Sequence, residues 1–246
     1  MAALLKLRQL LYDAAHMKAV LLMAGKGTRM AKYYEGPKQL LPVAGKPIVE
    51  RILDQLPDEV DDLIFVVGGP HEAKLREYFT SGEYQGRKVT FVRQAEQLGV
   101  AHAFWQAEGM TAGRWVGILP DDVYGVNPFE KLLQHELSIL AHRVPNPEAF
   151  GVLVADKEGN LVRSVEKPKE FVSDLVWTGL MVMDDRFFEA KVEPSARGEY
   201  ESPDVWMKLA KDYGAKIKVV EAEQWLPVND KPQLEEAERV LKNLST

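Results

Sequence analysis

Ala19-Val20-Leu21-Leu22-Met23-Ala24-Gly25-Lys26-Gly27-Thr28-Arg29 joins a short apolar run to a basic loop with two glycines. A run of this length, bounded by turn formers, is typical of a strand buried in a parallel sheet. Open α/β sheets bind their ligands beyond the carboxyl ends of such strands. The loop can bend so that successive N–H groups surround one anion, and Lys26 and Arg29 add positive charge. The stretch therefore predicts a phosphate site at the end of the first strand.

The chain beyond this stretch alternates between apolar runs and amphipathic segments. Three further buried strands are predicted at 62–67, 89–92 and 115–119. Segments with apolar residues three and four apart predict intervening helices at 48–56, 72–80 and 100–109. Strands and helices in this alternation predict a doubly wound parallel sheet with helices on both faces.

The second half of the chain has a different pattern. Runs at 151–155, 161–166 and 175–183 are rich in strand-forming residues, and the first two flank the turn at 156–159. We expect antiparallel strands that extend the first sheet, followed by a final helix at 232–244. The predicted fold class is therefore α/β, with a Rossmann-like, doubly wound mixed sheet in a three-layer α/β/α arrangement.

Composition excludes several functional classes. The chain has 246 residues, of which 46% are hydrophobic and 28% charged, as in an ordinary globular protein. Its formal net charge of -6 gives no overall positive field for DNA or RNA, so we expect no nucleic-acid partner. The absence of cysteine excludes disulfides, thiolate nucleophiles and cysteine-ligated zinc.

The first 16 residues differ from the rest of the chain. Leucines at helical spacing, interrupted by Lys6, Arg8 and Asp13, predict a short amphipathic helix rather than a signal peptide. No apolar run reaches the roughly 20 residues that cross a bilayer, so we expect no membrane span and a cytoplasmic protein. We predict an N-terminal extension at 1–16 and a single domain at 17–246. A nucleotide half would occupy about 17–125 and an acceptor half about 126–246.

Two common phosphate-binding motifs do not fit the glycine loop. Walker A requires Gly-x-x-x-x-Gly-Lys-Ser/Thr, and the sequence contains no such string. The dinucleotide motif Gly-x-Gly-x-x-Gly fails because Met30 follows Gly27 by three residues. The loop thus argues against a P-loop ATPase and against a dinucleotide-dependent enzyme.

Two motifs together resemble a known family. Leu22-Met-Ala-Gly-Lys-Gly-Thr-Arg-Met30 and Pro37-Lys-Gln-Leu-Leu-Pro-Val-Ala-Gly-Lys-Pro47 are similar to the signature of the sugar-1-phosphate nucleotidylyltransferases. The resemblance implies that the loop residues hold a nucleoside triphosphate, that Arg29 braces its phosphates, and that Lys38 contacts the α-phosphate. The loop residues concerned are Ala24, Gly25, Lys26, Gly27 and Thr28.

The segment after the third strand resembles a base-binding loop. Gln94-Ala-Glu-Gln-Leu-Gly-Val-Ala-His-Ala103 is similar to that of the N-acetylglucosamine-1-phosphate uridylyltransferases. An amide such as that of Gln94 carries a donor and an acceptor, which suits the edge of uracil or thymine. Gly99 would let the backbone approach the base. We interpret both residues as nucleotide-binding.

A metal site is predicted where Leu119-Pro-Asp-Asp-Val123 ends the fourth strand. Mg²⁺ prefers oxygen ligands and takes only one or two from protein when phosphates are present. The resemblance makes Asp121 a ligand and allows a supporting role for Asp122. The second ligand departs from the thymidylyltransferase pattern, because Pro227 stands where those enzymes have aspartate. Val228-Asn229-Asp230 resembles the uridylyltransferase pattern instead, so we assign Asn229, with Asp230 as the alternative.

The acceptor half carries three further matches, at 150–152, 165–168 and 177–179. The resemblance implies that Glu166 binds sugar hydroxyls, Lys167 binds the incoming phosphate and Gly151 admits the ring. Trp177 and Thr178 complete the predicted acceptor site. Trp177 departs from the family pattern, where asparagine is common, because an indole can stack on a sugar but cannot replace an amide's two hydrogen bonds. The acceptor is therefore expected to differ from the common hexose phosphates.

The resemblance thus implies a magnesium-dependent enzyme that joins UTP or dTTP to a sugar 1-phosphate. Two alternatives stay open: a phosphocholine-type cytidylyltransferase, favoured by the aromatic Trp177, and a non-catalytic subunit that binds sugar nucleotides, favoured by Pro227. The expected partners are small-molecule substrates, with a homo-oligomer left open.

Overall fold

The computed structural model of the chain describes residues 17–25, 27, 29–80 and 82–244. The predicted helix within 1–16 lies outside the described residues, as do Lys26 and Thr28 of the glycine loop.

Strands and helices alternate through the first half, and strands predominate in the middle of the chain. The strands are β1 (Met17–Leu22), β2 (Pro42–Val43), β3 (Lys46–Pro47), β4 (Val60–Val67), β5 (Glu83–Tyr84), β6 (Arg87–Arg93), β7 (Arg114–Ile118), β8 (Val123–Tyr124), β9 (Leu137–Arg143), β10 (Gly151–Ala155), β11 (Leu161–Glu166), β12 (Leu175–Asp184), β13 (Ile217–Glu221) and β14 (Trp225–Leu226). The helices are α1 (Ile48–Leu53), α2 (Glu72–Tyr78), α3 (Val100–Trp105), α4 (Pro128–Leu133), α5 (Arg186–Glu189), α6 (Ser202–Asp212) and α7 (Lys231–Leu244).

The main sheet is parallel in its first half. Strand β1 lies at its centre and pairs in parallel with β4 on one side and β7 on the other, while β6 pairs in parallel with β4. All four predicted strands are therefore present and parallel, as predicted. Their carboxyl ends lie at one edge of the sheet, and this edge carries the loops that contain Gly25, Gln94 and Asp121.

The second half joins this sheet in antiparallel orientation. Strands β10 and β11 form the predicted hairpin, and β12 pairs with β10 near its start and with β7 further along. The order along the sheet is β11-β10-β12-β7-β1-β4-β6-β5, with β9 pairing with both β12 and β13. Strand β12 thus connects the predicted nucleotide half to the acceptor half.

Side-chain alternation along the strands produces three layers. Leu21 and Phe65 belong to one core cluster together with residues of α1, α2, α4 and α7. Val20 and Ile64 belong to a second cluster with residues of α3, α5 and α6. Because neighbours along a strand point to opposite faces, the two clusters cover the two sides of the sheet. The three-layer α/β/α arrangement predicted from the sequence is therefore observed.

Several elements of the second half were not predicted. Strands β9 and β13 pair in parallel, and β9 also forms antiparallel pairs with β12. Strand β9 follows α4 through Gln134, His135 and Glu136, without the glycine or proline that marks most turns. Helix α6 begins with Ser202 and Pro203 after an irregular segment. The connection to β9 thus gave the sequence pattern no boundary to detect, whereas the helix start at Ser202-Pro203 was overlooked.

Within the described residues, no helix combines the length and the apolar composition that a membrane crossing requires.

Candidate active site

The glycine loop lies beside a small pocket at the carboxyl end of β1. The N–H groups of Met30 and Ala31 both donate to the Gly27 carbonyl, at 3.1 Å each, so the loop turns directly after Gly27. Gly27 has a φ of +61°, a left-handed conformation that glycine adopts without strain. Arg29 is exposed and reaches the pocket, which has a volume of about 240 Å³. The pocket wall also includes Gly25, Lys38, Gln39, Asp121 and Asn229.

Lys38 lies at the point where the predicted metal ligands converge. It begins a short 3₁₀ turn after Pro37, and only 9% of its surface is exposed. Its Nζ lies 3.2 Å from Asp121 Oδ2 and 3.4 Å from Asn229 Oδ1. It also lies 3.5 Å from Asp122 Oδ1. Three oxygens from two distant parts of the chain thus surround a single cationic group.

Asp122 supports this arrangement through buried hydrogen bonds. Its carboxylate is buried and accepts hydrogen bonds from the Trp225 indole at 3.1 Å and from the Val228 N–H at 2.9 Å. Burial and the nearby Asp121 carboxylate raise the pKa of Asp122 to about 7, while Lys38 and the two hydrogen bonds oppose this shift. Asp122 therefore connects the loop after β7 to the segment that carries Asn229.

The two candidates for the second metal ligand have different surroundings. Asp230 Oδ1 accepts the Gln233 N–H at 3.0 Å, so Asp230 caps the amino end of α7. Gln233 Oε1 in turn accepts the Asn229 N–H at 2.8 Å, which fixes the backbone at Asn229. In the hydrogen bonds of the described residues, the side-chain oxygen of Asn229 contacts Lys38, whereas that of Asp230 contacts the helix backbone. The geometry thus favours Asn229 over Asp230.

Gln94 directly follows β6, at the same edge of the sheet as the glycine loop. Its side chain is 3% exposed, and Nε2 donates to His102 Nδ1 at 3.0 Å and to the Gly99 carbonyl at 3.4 Å. Burial lowers the pKa of His102 and so favours the neutral imidazole, which can accept this hydrogen bond. The amide is thereby held in one orientation beside the loop 94–99.

Gly99 permits a close backbone contact. Its φ is +107°, and a Cβ atom at this position would lie 2.6 Å from the Tyr200 carbonyl oxygen and 2.7 Å from the Tyr200 nitrogen. No larger residue fits here without moving the backbone near Tyr200. The structure therefore gives Gly99 a packing role against 195–201, in addition to any role beside a base.

A large cleft of about 1250 Å³ extends from Arg29 and Asp121 to the acceptor residues. Glu166 ends β11 in this cleft, and Glu166 Oε1 lies 3.2 Å from Lys167 Nζ. Gly151, which pairs with Glu166 across the hairpin, has no side chain, and a Cβ there would lie 3.1 Å from Glu166 Oε2. The structure thus brings these three predicted acceptor residues together on one wall.

Trp177 and Thr178 line the same cleft but use their polar groups internally. The Trp177 indole is 8% exposed, packs edge-on against Trp206 and donates to the Leu180 carbonyl at 3.0 Å. Thr178 Oγ1 donates to the Leu140 carbonyl at 3.1 Å. Little of either side chain is left for a ligand. The expected stacking of a sugar on the full Trp177 face does not fit this burial.

Arg197 contacts the acceptor wall and was not identified from the sequence. Its Nη1 lies 3.3 Å from Glu166 Oε1, and its Nη2 lies 2.9 Å from Glu199 Oε2. Arg197 is 31 residues from Glu166 in sequence. The contact joins two separate segments of the chain, so no local spacing in the sequence indicated it.

Comparison with known proteins identifies the class to which this fold and site belong. A family model described as nucleotidyl transferase matches residues 18–243. The chain therefore belongs to the nucleotidyl transferase family, which confirms the family predicted from the glycine loop and the Pro-Lys motif.

Individual relatives agree with this placement. UTP--glucose-1-phosphate uridylyltransferase AglF of Haloferax volcanii is 33% identical, over 94% of this chain and 98% of AglF. Bifunctional protein GlmU of Methanococcus maripaludis is 32% identical, over 82% of this chain and 50% of GlmU, so the chain spans half the length of that relative. A solved UDP-glucose pyrophosphorylase complexed with UDP-glucose has a TM-score of 0.81 at 19% identity, over 93% of this chain and 99% of that one. The structural similarity confirms the predicted fold.

Proposed function

We propose that this chain transfers a nucleoside monophosphate from a pyrimidine nucleoside triphosphate to a sugar 1-phosphate and releases pyrophosphate. The observation that carries the proposal is the convergence of Lys38, Asp121 and Asn229 between a phosphate-sized pocket and a larger cleft. The small pocket would hold the triphosphate, and the larger cleft would hold the nucleoside and the acceptor.

The nucleotide would bind along the carboxyl ends of β1 and β6. Gly25 and Gly27 line the small pocket, where their backbone would meet the phosphates, and Arg29 would grip two phosphate oxygens with its planar fork. Gln94, whose Nε2 is held by His102 and by the Gly99 carbonyl, would offer its remaining amide oxygen to the ring N–H of a pyrimidine. Lys26 and Thr28 remain sequence predictions for the same loop.

The oxygen ligands fit Mg²⁺. Asp121 and Asn229 offer a carboxylate and an amide oxygen, both within 3.4 Å of the Lys38 ammonium, so one cation can lie near both. Among the described residues, no group of three or more histidine or acidic side chains offers another such site. When bound, Mg²⁺ would neutralise the negative charge that develops on the phosphates.

The protein's own residues would act by position and charge. An oxygen of the sugar phosphate attacks the α-phosphorus, and the bond from that phosphorus to the β-phosphate oxygen breaks as pyrophosphate leaves. Because the attacking phosphate is already an anion, no general base is needed. Lys167 would hold the incoming phosphate, Lys38 would shift from the carboxylates to the α-phosphate, and Arg29 would stabilise the departing pyrophosphate.

Glucose 1-phosphate is the first acceptor to test, because the relative AglF carries it in its name. Glu166 would accept hydrogen bonds from the sugar hydroxyls, with Gly151 giving space for the ring. The internal hydrogen bonds of Trp177 and Thr178 leave this wall with few groups that could select a sugar, so a panel of acceptors should include other hexose 1-phosphates and phosphocholine.

Replacement of Arg29 by alanine tests the proposal. We expect kcat/KM to fall by about two to three orders of magnitude, since a charge aimed at the leaving group is lost. Arg29 is exposed, so the far-ultraviolet circular dichroism and the melting temperature should not change. Pyrophosphate release with UTP and dTTP, with Mg²⁺, measures the effect across the acceptor panel.

A matched control is Lys208→Ala, which removes an exposed cation that pairs with Asp212 on helix α6. This control should keep wild-type turnover. Near-wild-type turnover by Arg29→Ala with both triphosphates would show that the assigned phosphate pocket is wrong. Absence of pyrophosphate release by the wild-type protein across the whole panel would contradict the proposed activity itself.

A further inference from the structure

The turn at 195–201 connects the two halves of the cleft. The Ser195 N–H donates to the Glu199 carbonyl, and the Gly198 N–H donates to the Ser195 carbonyl, both at 2.8 Å. The segment is therefore a compact, internally bonded turn rather than an extended connection. Glu201 is 4% exposed and accepts a hydrogen bond from Ser195 Oγ at 3.1 Å, which fixes the end of the turn from which α6 begins.

The turn is attached to the nucleotide side through Tyr200. The Tyr200 N–H donates to the Leu98 carbonyl at 2.8 Å, and the Tyr200 carbonyl accepts the Ala101 N–H at 3.0 Å. The Tyr200 ring is stacked near His102, with ring centres 6.0 Å apart. Since His102 holds the amide of Gln94, one continuous set of contacts leads from the base-binding loop to the turn.

The same turn is attached to the acceptor side through Arg197. The guanidinium lies among three carboxylates: Glu166 at 3.3 Å, Glu199 at 2.9 Å and Glu201 at 3.6 Å. Without Arg197, only Lys167, at 3.2 Å, would offset the repulsion of Glu166 by the two neighbouring carboxylates, and the proposed function gives Lys167 to the incoming phosphate. The planar fork of arginine can hold Glu166 and Glu199 with different nitrogens at once.

We propose that Arg197 is a positioning residue that holds Glu166 in the acceptor site, and that the turn bearing it ties this site to the nucleotide loop. The inference rests on the proposed function, in which Glu166 binds the sugar. Arg197 itself would not touch the reacting atoms. Its effect would be on the affinity for the sugar portion of a ligand, because it fixes the direction of one carboxylate.

Two ligands separate this role from a general structural role. UTP occupies only the nucleotide part, whereas UDP-glucose also places a sugar against Glu166. In Arg197→Gln, we expect the affinity for UDP-glucose to fall about tenfold and the affinity for UTP to change less than about twofold. Isothermal titration calorimetry with Mg²⁺ measures both. Arg197→Lys keeps a cation near the carboxylates but loses the planar fork, so it should recover only part of the lost affinity.

The matched control is Arg239→Gln, which removes an exposed arginine that pairs with Glu236 on α7, outside the cleft. It should bind both ligands as the wild type does. A Tyr200→Ala variant keeps the backbone hydrogen bonds of Tyr200 and removes its ring, so it tests the side-chain contact with His102 in the connection to the nucleotide loop. It should also weaken UDP-glucose binding, and the double variant with Arg197→Gln should lose less affinity than the two single losses combined.

The outcomes distinguish the two proposals. If the wild type binds UDP-glucose and Arg197→Gln binds it equally well, the positioning role is overturned while the proposed function stands. Equal losses for UTP and UDP-glucose would also overturn it, since they would show a general disturbance of the cleft. Combined losses that equal the sum of the single ones would overturn the connection through Tyr200. If the folded wild type binds neither UTP and UDP-glucose nor the corresponding pair dTTP and dTDP-glucose, the proposed function fails and the inference fails with it.

Discussion

His102 contributes a pH-sensitive contact beside the predicted base-binding loop. Burial lowers the pKa of its imidazole in the folded chain, whereas the unfolded chain has the ordinary value of about 6.5. As the pH falls below about 6.5, the unfolded state takes up this proton first, so folding stability is lost. We expect His102→Gln, which has no such proton, to lose less thermal stability than the wild type between about pH 7.5 and pH 5.5.

Melting temperatures measured in parallel over this range check the prediction. The relevant quantity is the slope of the melting temperature with pH, because the substitution also changes packing against Tyr200. His135→Gln is a suitable control, since no hydrogen bond of its ring is found among the described residues. Identical slopes for wild type and His102→Gln would contradict a neutral, buried role for this imidazole.

Individual site residues were predictable where a local pattern carried them. Arg29 and Asp121 lie in loops that follow recognisable strands, Lys38 lies in the Pro-Lys motif, and the structure places all three beside one pocket. The contact between Lys38 and Asn229 spans 191 residues, so no local spacing indicates it. Arg197 belongs to the same category, because its role depends on carboxylates from separate segments.

At the scale of elements, the amino end of helix α7 separates the two candidate metal ligands. Asp230 caps this helix, while Asn229 directs its side-chain oxygen to Lys38. We expect Asp230→Ala to lower the free energy of unfolding by about 1 kcal/mol, as loss of a helix cap does, with an unchanged requirement for Mg²⁺. Asn229→Ala should keep the stability but raise the Mg²⁺ concentration for half-maximal turnover by about tenfold.

Urea unfolding and Mg²⁺ titrations of pyrophosphate release measure the two effects. The backbone N–H of Asn229, bonded to Gln233, remains in Asn229→Ala, so the helix start is preserved. The opposite result, a changed Mg²⁺ requirement only in Asp230→Ala, would show that Asp230 is the ligand.

The elements themselves were predictable to different degrees. The parallel strands β1, β4 and β7 contain buried apolar runs, which are easy to detect. Strand β6 was detected from the shorter run 89–92, although only Val89 is buried in it. Strand β13 was missed because Lys216 and Lys218 interrupt its apolar run with charge. Its place beside β9 depends on the tertiary fold, which local propensity does not contain.

At the scale of the whole molecule, the sheet separates two cores that share few side chains. Phe65 packs with Phe79 and Phe91 on one face, and Phe187 packs with Phe104 and Trp115 on the other. We expect Phe65→Leu and Phe187→Leu each to lower the free energy of unfolding by about 1 to 2 kcal/mol. Because the two rings share no aromatic partner among the described residues, the losses should add to within about 0.5 kcal/mol in the double variant.

Chemical denaturation of the two single variants and the double variant measures this additivity. The unfolding slope with denaturant should stay constant, since all variants expose the same surface when they unfold. A double variant that lost much less or much more than the sum would mean that the two faces are coupled through the sheet.

The position of Lys38 also affects the charge balance of the site before a substrate binds. The neighbouring carboxylates of Asp121 and Asp122 repel each other. The Lys38 ammonium, rather than an ion from solution, serves as their counter-ion. The folded chain therefore carries a counter-ion for these carboxylates within its own sequence, and under the proposed function a bound metal would free the same lysine for phosphate.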